Sequence, residues 1–275
     1  MAYREERTGK KEYSKRFSAG EREAAEARED VVVGRNAVLE LLRSGRTVDK
    51  LFLQKGQREG SAILIAGLAK ERGVPIVEAE KQKLDALSAG LKHQGVAAIA
   101  AQKEYVSLDD ILKIAADRDE PPFLVLCDGI DDPGNLGAII RCAEGAGAHG
   151  VVIPKRRSVG LTAAVARASA GAVEHVAVAR VPNLASAIDE LKKAGVWIYG
   201  AEAGGASCFE TDMKGAVALV MGSEGEGISH LVKEKCDFIV SIGMYGRVNS
   251  FNVSCASAVL LCEIARQRHG VQAKN

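Results

Sequence analysis

Across 275 residues, hydrophobic side chains make up 47 % and charged ones 27 %, enough apolar material for roughly two packed domains, which excludes a wholly disordered chain. Lysine plus arginine number 37 and aspartate plus glutamate 36, so the formal charge of +1 neither demands nor forbids a nucleic-acid partner. Apolar runs of about six residues fall far short of the ~20 that span a bilayer, and no basic-then-apolar opening marks a secretory signal; a cytoplasmic protein away from membranes is expected.

Residues 1–30 carry eight basic and eight acidic side chains and almost no large aliphatic ones. Such a segment buries too little surface to offset the entropy of ordering it, so a solvated charged arm is expected. Its half up to Arg16 leans basic, which leaves open a weak electrostatic tether to an anionic partner. Residues 31–101 read as a small α/β unit. Val38, Leu41 and Leu42 share a helical face, Val48 to Leu53 alternates as a strand, and Ile63 to Lys70 reads as a helix. Val74 to Val77 follows as a strand and Lys81 to Ser88 as a helix, before His93-Gln94-Gly95 turns into a strand over Val96 to Ala100. Residues 102–122 are charged, close on Pro121-Pro122 and read as a linker with a short helix over Leu108 to Ala115.

Residues 123–270 alternate clearly, and 271–275 form a short tail. Strands are predicted at Phe123–Cys127, Val151–Pro154, Val176–Ala179, Val196–Ala201, Ala216–Met221 and Phe238–Ile242. Helices are predicted at Leu136–Gly145, Thr162–Ala170, Leu184–Ala194, Ile228–Lys233 and Val253–Arg268. Short, almost continuously apolar strands between helices indicate a parallel sheet covered on both faces. Ligands of such sheets bind beyond the carboxyl ends of the strands, and the loops there are the place to look for chemistry.

Gly145, Gly147 and Gly150 match the dinucleotide pattern G-x-G-x-x-G, but they end a helix and begin a strand, the reverse of what pyrophosphate binding needs. They read as a glycine-rich helix stop. The six cysteines form no C-x-x-C pair and read as reduced core thiols; the five histidines are scattered, and no metal site is expected.

Three loops each follow a strand end. The first runs from Asp128 through Pro133-Gly134-Asn135 to Arg141, with Asn135 a plausible helix cap and Arg141 able to fork onto a phosphate or carboxylate; read alone, the two are a cap and a surface charge. The second is Met221-Gly222-Ser-Glu224-Gly225-Glu226-Gly227, where glycines admit close approach and carboxylates suit ribose hydroxyls or a cation better than phosphate. The third runs from Ile242 through Gly243, Arg247, Asn249, Ser250, Phe251 and Asn252 to Ser254, with more hydroxyl and amide side chains than one helix cap needs.

Taken together, these loops resemble the three motifs of the SpoU (TrmH) branch of the SPOUT RNA methyltransferases, over Phe123 to about Arg268. N-L-G-x-x-x-R is matched by Asn135, Leu136, Gly137 and Arg141; G-x-E-x-x-G by Gly222, Glu224 and Gly227; S-L-N-V-S by Ser250, Phe251, Asn252, Val253 and Ser254. Gly34-x-Asn36 and His93-Gln94-Gly95-Val96 make residues 31–101 similar to the family's L30e-type RNA substrate-binding domain. The whole resembles the RlmB type, which 2′-O-methylates a guanosine of large-subunit (23S) ribosomal RNA.

The resemblance implies a trefoil-knotted α/β domain, a homodimer through that domain, and S-adenosyl-L-methionine held near Met221, Gly222, Ile242, Phe251 and Val253. It implies a catalytic group of Arg141, Asn135, Glu224, Ser250 and Asn252, with Glu224 orienting Arg141 or the ribose. Gly243 stands where the family often has proline, Phe251 where it has leucine, and Asn249 where small residues are common. A 2′-hydroxyl is a poor nucleophile, so the enzyme must align it and favour loss of its proton. With an arginine pKa above ~12, Arg141 suits phosphate binding and oxyanion stabilisation better than the role of base. RNA affinity is expected from Lys155-Arg156-Arg157 and Arg247. Two readings compete: a transfer-RNA ribose methyltransferase, and a non-catalytic RNA-binding or ribosome-assembly protein of the same fold.

Overall fold

The computed structural model describes residues 29–57 and 59–270; the charged arm, but for its last two residues, and the 271–275 tail lie outside them. The chain divides into two units, one up to Gln102 and one from Lys103, with 162–164 grouped with the first.

The first unit is a four-stranded sheet in the order β1-β4-β2-β3, from β1 (Val31–Val33), β2 (Val48–Gln54), β3 (Ile76–Ala79) and β4 (Val96–Ala100). β4 runs antiparallel to β1 and β2, and β3 parallel to β2. The period of two along β4 sorts its side chains onto two faces. Val96, Ala98 and Ala100 join a core with α1 (Arg35–Ser44) and α2 (Ser61–Glu71), while Ala97 joins one with Leu84 of α3 (Lys81–Ser88). β1 is absent from the sequence reading because three residues are too few to show alternation.

The second unit is a six-stranded, fully parallel sheet in the order β10-β8-β9-β5-β6-β7. Its strands are β5 (Phe123–Cys127), β6 (Gly150–Pro154), β7 (Ala177–Val181), β8 (Trp197–Ser207), β9 (Val217–Met221) and β10 (Phe238–Ser241). Both faces are covered, as the apolar strands predict. Phe123, Val125 and Cys127 pack with α5 (Pro133–Gly145) and α9 (Val253–His269). Leu124 and Leu126 pack with α4 (Leu108–Asp117) and α7 (Leu184–Lys193). Two short helices, α6 (Ala163–Ala168, its first two residues grouped with the first unit) and α8 (His230–Glu234), and a 3-10 turn over Ala172–Glu174 lie between the strands.

Three features depart from the sequence reading. The segment 102–122 is built onto the second unit. Ser107 and Asp110 close a reciprocal capping box at the start of α4, and Leu108 and Ile111 enter the core beneath it. β8 runs to Ser207 rather than Ala201. It pairs β10 at Gly200, then again only at Ala206, so 201–205 bulge away from the ladder. A side chain at Gly205 would strike the carbonyl of Ile239 at 2.5 Å, which ties the bulge to glycine. The predicted helix over Thr162–Ala170 stops at Ala168, because Ala170 turns to a φ of 53°. The glycine triplet does end α5 and open β6, with Gly147 at a φ of 78° and Gly150 leaving room for Ile111. No described helix is long and apolar enough to cross a membrane.

Candidate active site

The three loops meet at one asparagine. Asn252 caps α9, its Oδ1 accepting from Ser254 N at 3.0 Å and Cys255 N at 3.3 Å. Its Nδ2 is thereby turned outward, and donates to Asn135 Oδ1 at 3.1 Å and to Glu224 Oε1. One side chain of the third loop thus joins the first and the second. Asn135 is free for this because it is not the cap of α5. Asp132 is the cap, accepting from Asn135 N at 2.7 Å, with Pro133 at the first helical position. The expectation that Asn135 caps the helix is corrected accordingly.

The second loop is held by its own glycines. Ser223 and Gly227 exchange backbone hydrogen bonds at 3.0 Å each. A side chain at Gly222 would lie 2.2 Å from Gly227 C, so the turn closes only over glycine, and Glu224 is presented at its tip. Buried Asp128, just past β5, accepts from Ser229 N at 2.7 Å and braces the far side of the same loop.

Arg141 and Ser250 stand outside this hydrogen-bonded group. Arg141 is exposed on the third turn of α5, not in its first turns. Six residues beyond Asn135, it lies roughly 9 Å along the axis and about 120° around it. Among the described residues it makes no hydrogen bond or ion pair. Glu224 engages Asn252, and no hydrogen bond or ion pair joins it to Arg141 among the described residues. Ser250 is exposed, its Oγ 3.5 Å from Asn249 Oδ1. Lys155, Arg156, Arg157 and Arg247 are all exposed.

Beside Glu224 lies a cavity of about 230 Å³ at the carboxyl ends of β8, β9 and β10. Met221, Gly222, Ile242, Phe251 and Val253, the five residues expected to hold a cofactor, all line it, as does Ser250. So do Ala201, Glu202 and Ala203 of the β8 bulge, which the sequence reading missed by ending that strand early. The pair Gly204-Gly205 was the available signal. Glu202 Oε1 accepts from Lys233 Nζ at 2.6 Å. The wall holds two carboxylates, Glu202 and Glu224, and no lysine, arginine or histidine. That donor set fits a sulfonium cation with ribose hydroxyls and does not fit a pyrophosphate.

Two thiols near the cavity are held in their protonated form by burial. Burial, then the charge of Asp128, pushes Cys127 up to about 12, and burial lifts Cys236 to about 11. Among the described residues no group of three His, Cys, Asp or Glu side chains could hold a metal ion.

Residues 122–262, just over half of the chain, match the family model described as the SpoU rRNA methylase family. The chain belongs to this family. Residues 31–106 match a second model, the substrate-binding domain of RNA 2′-O ribose methyltransferases. The SpoU chain is 46 % identical over 243 residues to YacO of Bacillus subtilis, a TrmH family tRNA/rRNA methyltransferase by name, covering 88 % of this chain and 97 % of that one. A Staphylococcus haemolyticus protein of the same description is 47 % identical over 244 residues, with the same coverage. Among solved structures, the SpoU methyltransferase AviRb of Streptomyces viridochromogenes, crystallised with AdoMet, superposes with a TM-score of 0.73 at 25 % identity, over 91 % of this chain and 94 % of that one. An AdoMet-bound rRNA methyltransferase of Sinorhizobium meliloti gives 0.69 at 26 % identity, over 86 % of each chain.

Proposed function

We propose that this chain is an RNA ribose 2′-O-methyltransferase acting on a guanosine of large-subunit (23S) ribosomal RNA. S-adenosylmethionine is its methyl donor. The observation that carries the reading is the junction at Asn252, which joins Asn135 and Glu224 at the wall of a carboxylate-lined, cation-free cavity. An intact junction of this kind speaks against a non-catalytic relative of the same fold.

The donor supplies a methyl group already activated on a positively charged sulfur. The residues of the chain do the rest. Glu224 makes the cavity favourable to that charge, while Glu202 is paired with Lys233. Asn252, fixed by its capping bonds, holds Glu224 and Asn135 in register and so sets the mouth of the cavity where the ribose enters. Ser250 offers a hydroxyl in the same wall. Arg141, exposed and unpaired among the described residues, binds the phosphate next to the target ribose and stabilises negative charge developing on the 2′-oxygen.

The ribosomal substrate is supported by the separate domain at 31–106 and by the family description. The relatives named for both tRNA and rRNA keep a transfer-RNA ribose as the second reading. We also propose a knotted threading of the 123–270 domain and a homodimer formed through it. The exposed apolar residues Tyr245, Val248, Phe251 and Val259 support a covered face there. Lys155, Arg156, Arg157 and Arg247 are proposed to carry phosphate contacts, in a reducing cytoplasm that suits six free cysteines.

Nucleoside mapping by mass spectrometry, on ribosomal and transfer RNA from cells lacking the protein, tests the reading. Loss of one 2′-O-methylguanosine from large-subunit RNA is the expected result. Loss of a transfer-RNA ribose methyl instead moves the substrate, and no loss from either RNA refutes the activity.

A further inference from the structure

One charged pair at the cavity of the second unit takes no part in the junction of the three loops. Glu202 lines the wall from the β8 bulge, and Lys233 reaches it from α8, outside the wall, with Nζ 2.6 Å from Oε1. The backbone fixes both ends of this contact. The bulge lifts Glu202 off the β10 ladder between Gly200 and Ala206, with Gly204 at a φ of 83° and Gly205 closed against Ile239. Lys233 lies one turn beyond Ser229, its N donating to the Ser229 carbonyl at 2.9 Å, and Ser229 N is the group that buried Asp128 holds. The pair thus ties an irregular strand to the helix that follows the second loop.

The same pair decides the charge of the wall. Glu202 and Glu224 are its two carboxylates. Glu224 is bonded to a neutral amide, which leaves its charge uncompensated. Glu202 is bonded to an ammonium, which offsets its charge. The other oxygen, Glu202 Oε2, is buried and has no hydrogen-bond partner, so among the described residues the compensation comes from Lys233. The wall therefore presents one uncompensated carboxylate instead of two. Lys233 is exposed and Glu202 half-buried, so the pair adds little to stability. Its effect on a bound ion is softened by water and not abolished.

We propose that the Glu202–Lys233 pair sets how far the cavity prefers the methyl donor to its demethylated product. The inference rests on the reading of this cavity as the donor's site. S-Adenosylmethionine carries a sulfonium charge, which S-adenosylhomocysteine, a neutral thioether of almost the same shape, lacks. A methyl group by itself gives a pocket only modest discrimination. The charge of the wall acts on the donor and not on the product's sulfur. Without Glu202 in its compensated form the wall would move toward one of two limits. Two free carboxylates favour the donor strongly; a free ammonium at the rim favours the product, which then competes with fresh donor. Glu202 and Lys233 are specificity-determining residues in this sense, and neither lies among the motif residues of the three loops.

The test is calorimetric titration of the full-length protein with S-adenosylmethionine and, separately, with S-adenosylhomocysteine. Lys233→Met keeps the stem of the side chain and removes its charge. The ratio of donor affinity to product affinity is expected to rise about fivefold, the scale of one added charge at a partly hydrated site. Glu202→Gln leaves the ammonium unopposed, and the ratio is expected to fall by about as much. The double variant should return the ratio to within about twofold of the parent's. Raised salt should shrink both single-variant shifts, and melting temperatures should change little throughout. The signs separate charge from structure. A pair that merely braces the bulge would, when broken from either side, weaken donor and product alike and leave the ratio unmoved. That result, or shifts of the same sign in the two single variants, overturns the proposal and leaves the enzymatic reading standing. A parent that binds neither molecule overturns the reading of the cavity beneath it.

Discussion

Two cavities among the described residues differ in the charged side chains of their walls. The one at the strand ends of the second unit is small, carries two carboxylates, one of them paired with Lys233 from outside the wall, and closes over a glycine turn. The one in the first unit, of about 540 Å³, is more than twice as large and carries Arg35, Lys81 and Lys92 around a single carboxylate, Asp85, which His93 engages. A near-neutral chain hides this division, because 37 basic and 36 acidic residues cancel in the sum. Net charge thus says little about partners once a chain sorts its charged side chains between sites. The wall at the strand ends, with Glu224 and no cation of its own, suits a cationic methyl donor. The difference can be broken or sharpened one residue at a time.

The largest effect should come from Arg141→Ala. If this exposed side chain stabilises charge on the 2′-oxygen, turnover falls by roughly 100- to 1,000-fold, while calorimetric titration returns an unchanged affinity for S-adenosylmethionine. Equal loss of both would place Arg141 in cofactor binding instead. Asn252→Ala comes next. It severs the link to Asn135 and Glu224 and also removes a helix cap worth about 1 kcal/mol, so turnover should drop with a modest fall in melting temperature. Asn252→Ser should restore the cap and the stability without restoring turnover; rescue of both would show that the junction is only a cap. Gly222→Ala forces a methyl against the backbone of Gly227, at an expected cost of about 1–3 kcal/mol. Cofactor affinity should fall in a calorimetric titration.

Much of this layout is legible in the sequence, for reasons specific to each element. Phe123–Cys127 and Val96–Ala100 announce themselves because strands buried on both faces must be apolar throughout. Lys81–Ser88 shows because Leu84 and Ser88 sit one turn apart on a polar helix. The G-x-G-x-x-G pattern is dismissed on element order alone, and the glycines are there for a helix end and for Ile111. What stays hidden is set by partners distant in the chain. Asp132 caps α5 because Pro133 fixes the first turn, leaving Asn135 to meet a residue 117 positions away. Local rules see two eligible caps and cannot choose between them. α4 looks like linker because its apolar face is only Leu108, Ile111 and Ala115, and what buries it is the opposite side of a later sheet. The β8 bulge is invisible because its cause is the register against β10.

The smallest predicted effect concerns acid, and it falls on the second unit. His149 is buried at the start of β6, its Nδ1 accepting from Phe123 N at 3.0 Å and its Nε2 3.1 Å from Glu120 Oε2. Burial holds this ring below its ordinary value of 6.5; Arg118 and Arg268 add to that, against the opposing pull of Glu120. The folded state therefore binds fewer protons than the unfolded one between the lowered value and 6.5, and stability rises with pH across that window. The contribution is complete above about 6.5 and is lost as pH falls through the folded value. Trp197, the single tryptophan, lies in the second unit and reports on it alone. Its fluorescence should show a melting temperature that declines on acidification from neutral pH. His149→Asn, which keeps an oxygen acceptor for Phe123 N but cannot be protonated there, should flatten that decline. An equally steep decline in the variant would move the acid sensitivity to the carboxylates, with Glu263, held below its usual range first by Arg266, next to be tested.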